Sequence, residues 1–222
     1  MLIRPWDAPL AADEWRTWLG TTAPFGQLAI NNLDPNEAPI VVPTHVAVLD
    51  DSILLHLASP NPAWPHLERA RRVRFTVSGD DAYVPGTWRA SGSTPAEHGV
   101  PTSYYAAVQF TCTPVIVDDP EAKAEILRVQ MRHSQPEGGN APVAAGEDPY
   151  GRMLPGIRGL RLDIVEVTAK FKYDDHKPID LRERVSSMLE ARDRPHDRGA
   201  AAEQRRRIAA VGAWRERSGP TS

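Results

Sequence analysis

Strand-like runs follow one another along most of this chain, and no helix alternates regularly between them. FGQLAIN begins at Phe25, and PIVVPTHVAVLD begins at Pro39 and turns at Asp50-Asp51 into SILLHLA. Two β-rich runs joined by a tight acidic turn predict a hairpin. VRFTVSG follows with Val73, Phe75 and Val77 alternating, then AYVPGTW, a short strand broken by Pro85. YYAAVQFTCTPVIV, from Tyr104, is long enough to bend across a barrel. GLRLDIVEVTAKFKY closes the series, with Leu160, Leu162, Ile164 and Val167 expected mostly inward. Successive hairpins without a βαβ rhythm predict an antiparallel barrel of about six strands.

Helices are expected around this meander. Trp15, Trp18 and Leu19 share one face of a short helix over residues 11–19. NPAWPHLERARR carries a helix start, with Asn61 as cap and Pro62 at the first helical position. DDPEAKAEILRVQMRH is opened by Asp and Pro and closed by basic residues. A charged helical tail runs from Asp180 to Trp214, split near Pro195 and Gly199. Residues 89–101 form a Gly/Pro/Ser-rich loop, and residues 134–156 a long irregular one with four prolines. With 222 residues the chain suits one well-buried core. The expected organisation is a cofactor-binding barrel domain over residues 1–178 and a helical C-terminal tail over 179–222.

A net charge of −3 gives no global attraction to nucleic acid or to an anionic membrane; the basic cluster is confined to Arg205, Arg206 and Arg207. The single cysteine, Cys112, lies in an apolar run and reads as a small buried hydrophobe. One cysteine permits no intrachain disulfide, which fits a reducing compartment. The N-terminus carries Asp and Trp where a signal peptide needs an apolar stretch, and no run approaches the ~18 apolar residues of a membrane helix. The expected location is the cytoplasm.

Four patches carry chemistry. His45 and His56 sit inside apolar strands, and strict alternation lets both face one interior, where a neutral imidazole hydrogen-bonds a cofactor or ligates iron or zinc. The plain alternative is a core histidine satisfied by backbone. Asn61, Pro62 and Trp64 place a helix start beside His56, with Arg69, Arg71 and Arg72 within reach of an anion there; simple capping is the alternative. Tyr104 and Tyr105 stand at a strand mouth behind a Gly/Pro loop, and one of them must point inward. A tyrosine so placed stacks on a planar ring or packs the barrel. Lys170 and Lys172 fall on one face of their strand, followed by Asp174, Asp175, His176 and Lys177. That mixture suits a zwitterionic substrate or a phosphate, or else an exposed strand end.

Together PTHVAV, LLHLASPNPAW, GDDAYVPGTW, GVPTSYYAAVQ and AKFK, in this order over roughly residues 25–175, resemble the PaiB-type family of FMN-binding negative transcriptional regulators. The resemblance implies a mainly β fold with peripheral helices (α+β): an antiparallel, PNP-oxidase-like split β-barrel. It also implies a homodimer with a cofactor site between subunits. The family's histidines match His45 and His56, and its Asn-Pro-x-Trp matches Asn61, Pro62 and Trp64. The chain departs from the regulators at Ser103-Tyr104, where they carry Trp-Asn, and at Tyr173 to His176, where they carry Leu-Ser-Gln-Asn. No helix-turn-helix or basic recognition helix is visible.

A similar branch from actinobacterial natural product biosynthesis, the piperazate synthases, binds haem b and closes N5-hydroxyornithine, an amino-acid-like substrate, by N–N bond formation. Two expectations follow from the resemblance. In the first, haem b binds, with His56 and then His45 as the iron ligand, because a strand holds a ligand more rigidly than the loops expected around His98 and His133. Lys172, Tyr105 and Asp175 then handle protons, Lys170 or an arginine near residue 71 holds the carboxylate, and Tyr104 contacts the cofactor. In the second, FMN binds with its phosphate near Asn61, Arg71 and Arg72, in a flavin oxidoreductase or a regulator that also contacts DNA.

Overall fold

The computed structural model describes residues 1–21, 24–90, 92 and 94–211. Ser91 and Ser93 of the expected loop, and the expected helix end at Trp214, lie outside the described residues. In chain order the elements are α1 (Glu14–Thr21), β1 (Phe25–Ile30), β2 (Ile40–His45), β3 (Ala47–Leu49), β4 (Ser52–Ala58), α2 (Trp64–Leu67) and β5 (Val73–Val84). Then follow α3 (Gly86–Arg89), β6 (Thr102–Val117), α4 (Pro120–Ser134), α5 (Tyr150–Met153), β7 (Ile157–Lys172), α6 (Ile179–Arg192) and α7 (Asp197–Val211). Among the described residues, no helix is long and apolar enough to cross a membrane. The chain forms two compact units, one from Trp18–Val77 and Gln109–Val167, the other from Met1–Thr17, Ser78–Val108 and the described part of Thr168–Ser222.

The first unit is built on a seven-stranded antiparallel sheet of order β2-β1-β5-β6-β7-β4-β3. β1 pairs antiparallel with β2 and β5, and β4 with β3 and β7. The two edge strands, β2 and β3, are separated in sequence by Val46 alone. Consecutive Cα atoms lie about 3.8 Å apart, so the two edges must meet at that residue. The sheet is therefore rolled into a barrel that stays unpaired along its seam, an antiparallel split β-barrel. Val46 is buried, and its N–H donates to the Pro24 carbonyl at 3.1 Å.

The run PIVVPTHVAVLD is thus two strands on opposite edges, and the expected six strands become seven. The expected hairpin over β3 and β4 is present, with Asp50 in the left-handed region at φ 50°, where Asp is tolerated better than most residues. Leu28, Ile30, Ile53, Leu55, Phe75, Phe110, Leu160 and Leu162 fill the interior. Cys112 is buried as expected, and burial pushes its thiol up to about 12.

α4 starts as its sequence predicts, with the Asp119 carboxylate accepting from the Ala122 N–H at 2.8 Å. Its Ile126 and Val129 pack on Ala47 of β3 and Leu54 of β4. By contrast, the helix expected over NPAWPHLERARR contracts to the four residues of α2. The Asn61 carboxamide caps only a turn, accepting from the Ala63 N–H at 2.9 Å. The chain must re-enter the sheet at Val73, which leaves no room for further helical turns.

The second unit is organised around buried charge. Asp175 is fully buried and takes Arg182 Nη2 at 2.6 Å and Arg207 Nε at 2.8 Å. Arg207 also donates to Glu14 Oε1 at 2.8 Å and to the Ala8 carbonyl at 3.0 Å. The cluster Arg205 to Arg207 is therefore no basic patch: Arg205 pairs with Glu183, Arg206 with Glu14 and Glu203, and Arg207 with Asp175 and Glu14. Two glycines of the pieces PGTW and GVPT explain each other. A Cβ on Gly86 would strike the Gly99 carbonyl, and one on Gly99 would strike the Gly86 carbonyl.

Removing the carboxylate in Asp175→Ala strands two guanidinium groups away from water, a loss of about 3–5 kcal/mol for a broken buried pair. Urea unfolding should show this as a lower midpoint with an unchanged slope. A variant within 1 kcal/mol of wild type, on the order of a surface pair, would contradict the burial described.

Candidate functional site

Two clusters hold the sequence-predicted residues, one in each unit. In the first unit, His45, His56, Leu127, Gln130, Met131, His133, Ser134 and Gln135 line an open groove of about 480 Å³. That is within the size range of small-molecule and cofactor sites. Neither strand histidine faces the barrel interior, which corrects the reading from alternation. Ile53, Leu55 and Leu57 fill the inward positions of β4, so His56 shares the outer face with Leu54 beneath α4. His45 ends β2 on its exposed side, its ring 4.7 Å from that of Phe25 in an edge-on arrangement.

Gln130 joins the two strands. Its Oε1 lies 2.7 Å from His56 Nδ1, and its Nε2 donates to the His45 carbonyl at 3.3 Å. Sequence reasoning missed Gln130; His133 lies in α4, as the helical run ending in it predicts and against its grouping with the loop histidine His98. The signal was available: Leu127, Gln130, Met131 and Ser134 fall at helical spacing on one face. Among the described residues no group of three or more His, Cys, Asp or Glu is arranged to hold a bare metal ion. A porphyrin iron brings four nitrogens of its own and needs only an axial donor such as His56.

The other candidates from this half of the sequence do not line the groove. Trp64 is buried, donates Nε1–H to the Ala58 carbonyl at 2.9 Å, and lies under the Arg158 guanidinium at 4.8 Å. Asn61 is occupied by its turn. Arg71 is exposed, and Arg72 donates to Thr113 Oγ1 at 2.6 Å.

In the second unit, the Tyr105 ring lies 5.5 Å from Lys170 Nζ and 5.8 Å from Lys172 Nζ. Tyr105 also borders a groove of about 430 Å³ with Asp81, Tyr83 and Ser103. Lys172 donates to Thr102 Oγ1 at 2.8 Å and to the Ser103 carbonyl at 3.0 Å. Lys170 donates to the Leu2 carbonyl at 2.8 Å and faces Asp7 Oδ2 at 3.6 Å. Burial lowers the Lys172 pKa; the Lys170 charge adds to that, and Asp174 opposes it. Burial raises the Asp7 carboxyl, against the Lys170 charge.

Tyr104 is the member of the pair that points inward. Its hydroxyl donates to Asp174 Oδ2 at 3.1 Å and accepts from Gln204 Nε2 at 2.8 Å, and burial raises its pKa. Asp174 is held in turn by Arg89, with Nε–Oδ2 at 2.8 Å and Nη2–Oδ1 at 3.1 Å. Asp175 has no exposed surface, and its oxygens are taken by Arg182 and Arg207, so it acts as a buried counter-ion. His176 stacks on Trp6 at 4.6 Å, and burial lowers its pKa.

A family model described as "Putative FMN-binding domain" matches residues 5–166. The chain belongs to this family. The match spans His45, His56 and Tyr105 and stops short of Lys170 and Lys172. The fold is also that of several solved structures. The flavocytochrome Anf3 from Azotobacter vinelandii is 20% identical, with 75% of this chain and 70% of that chain covered, at a TM-score of 0.57. The FAD and heme binding protein from Mycobacterium smegmatis is 19% identical, covering 73% and 72%, at 0.56. A conserved hypothetical protein from Mycobacterium tuberculosis is 18% identical, covering 77% and 90%, at 0.52. At these identities the likeness is one of fold. A search of curated proteins finds no match.

The Lys172 environment predicts its titration. In NMR of reductively methylated protein, Lys172 should titrate below the ordinary lysine value near 10.4. Lys170→Met removes a like charge and should raise it, whereas Asp174→Asn removes an attraction and should lower it further. A Lys172 that titrates with the surface lysines would refute the burial described.

Proposed function

We propose that this protein is a haem-dependent enzyme that closes N5-hydroxyornithine to piperazate by forming an N–N bond. The observation that carries the haem part is the His56–Gln130 contact at the edge of an open groove, a strand-borne imidazole held through Nδ1 that would serve as the iron's protein ligand. Leu127 and Met131 give that groove the apolar wall a porphyrin needs. Two proteins of the same fold are named for haem, the flavocytochrome and the FAD and heme binding protein. The choice of reaction rests on the motif resemblance to the PaiB-type family together with the departures from its flavin-binding pattern at Ser103-Tyr104 and Tyr173 to His176, which lean towards the haem-binding piperazate synthase branch.

The reaction is redox-neutral overall. The substrate's α-nitrogen attacks N5, the N–O bond breaks, and the hydroxyl leaves with a proton from the amine as water. Bound haem iron supplies a Lewis acid that polarises the hydroxylamine. The protein's own residues do the rest. His56 would hold the iron. Lys172, whose burial favours the neutral amine, is the candidate base of the second unit's cluster, with Tyr105 beside it, for bringing the α-amine from ammonium to its neutral form. Lys170, which faces Asp7 in the structure, or an arginine near residue 71 would hold the substrate carboxylate. The active form is a homodimer in which a second copy walls the open groove.

A flavin reading rests on membership of the FMN-binding domain family and on the two lysines flanking Tyr105, which suit a phosphate and a planar ring. Under it the purified chain is yellow and takes up FMN.

Purified, haem-loaded protein incubated anaerobically with N5-hydroxyornithine and no reductant should release cyclised product in the ferric state. Lys172→Ala should retain haem and lose about 10²–10⁴-fold in turnover, the usual contribution of a general base. Absence of product from both ferric and ferrous protein would end this reading and favour the flavin one.

A further inference from the structure

We infer that Gln130 is the positioning residue that fixes the tautomer of His56 and leaves its Nε2 lone pair free for iron. This inference rests on the haem reading above and adds the device that prepares the ligand.

The argument starts from the His45 carbonyl, which can only accept. Gln130 meets it at 3.3 Å, so the end of the carboxamide facing it must be the NH₂. The other end, the oxygen, then faces His56 Nδ1 at 2.7 Å. An amide oxygen can only accept, so His56 Nδ1 must carry the proton. In a neutral imidazole the second nitrogen, Nε2, is then unprotonated and is the one available to a metal. The orientation of the amide and the tautomer of the ring are therefore set by one backbone carbonyl. Both contacts come from β2 and β4 to a single α4 side chain, and α4 is seated independently by Ile126 and Val129 on Ala47 and Leu54. The positions of the donor and the acceptor thus do not depend on a bound group.

The arrangement also sets electron density on the ring. A neutral amide oxygen accepting from Nδ1–H makes Nε2 a modestly stronger donor than a free imidazole. A carboxylate at the same position would pull the proton further and give imidazolate character, which favours ferric iron. An apolar side chain would release the ring altogether.

Two variants of the full chain separate this role from mere packing. In the haem-free protein, long-range nitrogen–proton NMR should show wild-type His56 protonated at Nδ1 and bare at Nε2. Gln130→Leu should shift the ring towards the Nε2–H tautomer, and Gln130→Glu should retain the Nδ1–H form. In protein loaded with iron protoporphyrin IX, Gln130→Leu should lose haem to apomyoglobin about 10–100-fold faster, the usual cost of removing an outer hydrogen-bond partner. Its ferric/ferrous midpoint potential should rise, while that of Gln130→Glu should fall below wild type. Opposite shifts in potential cannot arise from a packing defect shared by both variants. The inference is overturned if His56 is protonated at Nε2 in wild type, or if Gln130→Leu leaves tautomer, haem release and potential unchanged. If wild-type protein takes up no haem, the proposed function fails, and the tautomer measurement still decides whether Gln130 orients His56.

Discussion

Two edge strands of a seven-stranded sheet are joined through one residue, Val46, and that connection governs the barrel unit. A single residue cannot cross a flat sheet of seven strands spaced about 4.8 Å apart. The sheet must roll until its edges meet, and Val46 sits buried where they do. His45 is the last residue of one edge, and His56 lies on the strand next to the other. Rolling therefore brings together two histidines that are five strands apart in the order of the sheet. α4 packs on β3 and β4, and its Gln130 reaches across the seam to β2. The groove is thus a consequence of closure that remains incomplete: a fully paired barrel would have covered these groups with its own ladder.

The second unit answers a different constraint. Charges withdrawn from water must be matched by partners close at hand. Asp175, Arg182, Arg207 and Glu14 pair with one another in its interior, and Arg89, Asp174, Tyr104 and Gln204 form a second chain of contacts. Glu14 comes from the first helix, Asp175 from just after the last strand, and Arg207 from the last helix. A network assembled from such distant parts of the chain fixes the fold more than it serves chemistry. Among the described residues Lys172 and Tyr105 are not hydrogen-bonded into it; Lys172 donates to a hydroxyl and a carbonyl.

Much of this was legible in the sequence, for identifiable reasons. Hairpin order, the acidic turn at Asp50, the cap at Asp119 and one inward member of the Tyr104–Tyr105 pair are local properties, set by period, turn chemistry and side-chain size. What local pattern does not carry is pairing at a distance. PIVVPTHVAVLD reads as one strand because nothing in it shows that its halves belong to opposite edges. Alternation correctly grouped His45 with His56 but assigned them to the interior, because periodicity distinguishes two faces without saying which is covered. Asp175 read as an available carboxylate because its partners Arg182 and Arg207 lie in helices read as a separate charged tail. Gln130 went unread because its function depends on a carbonyl contributed 85 residues away.

The central claim, that His56 is the iron ligand of a haem site at the seam, is tested most directly by titrating haem into the purified chain and recording the Soret band. The haem proposal predicts a saturable band in wild type and in His45→Ala, whose backbone carbonyl still anchors Gln130, and its loss or strong displacement in His56→Ala. A native spectrum in His56→Ala would contradict the assignment.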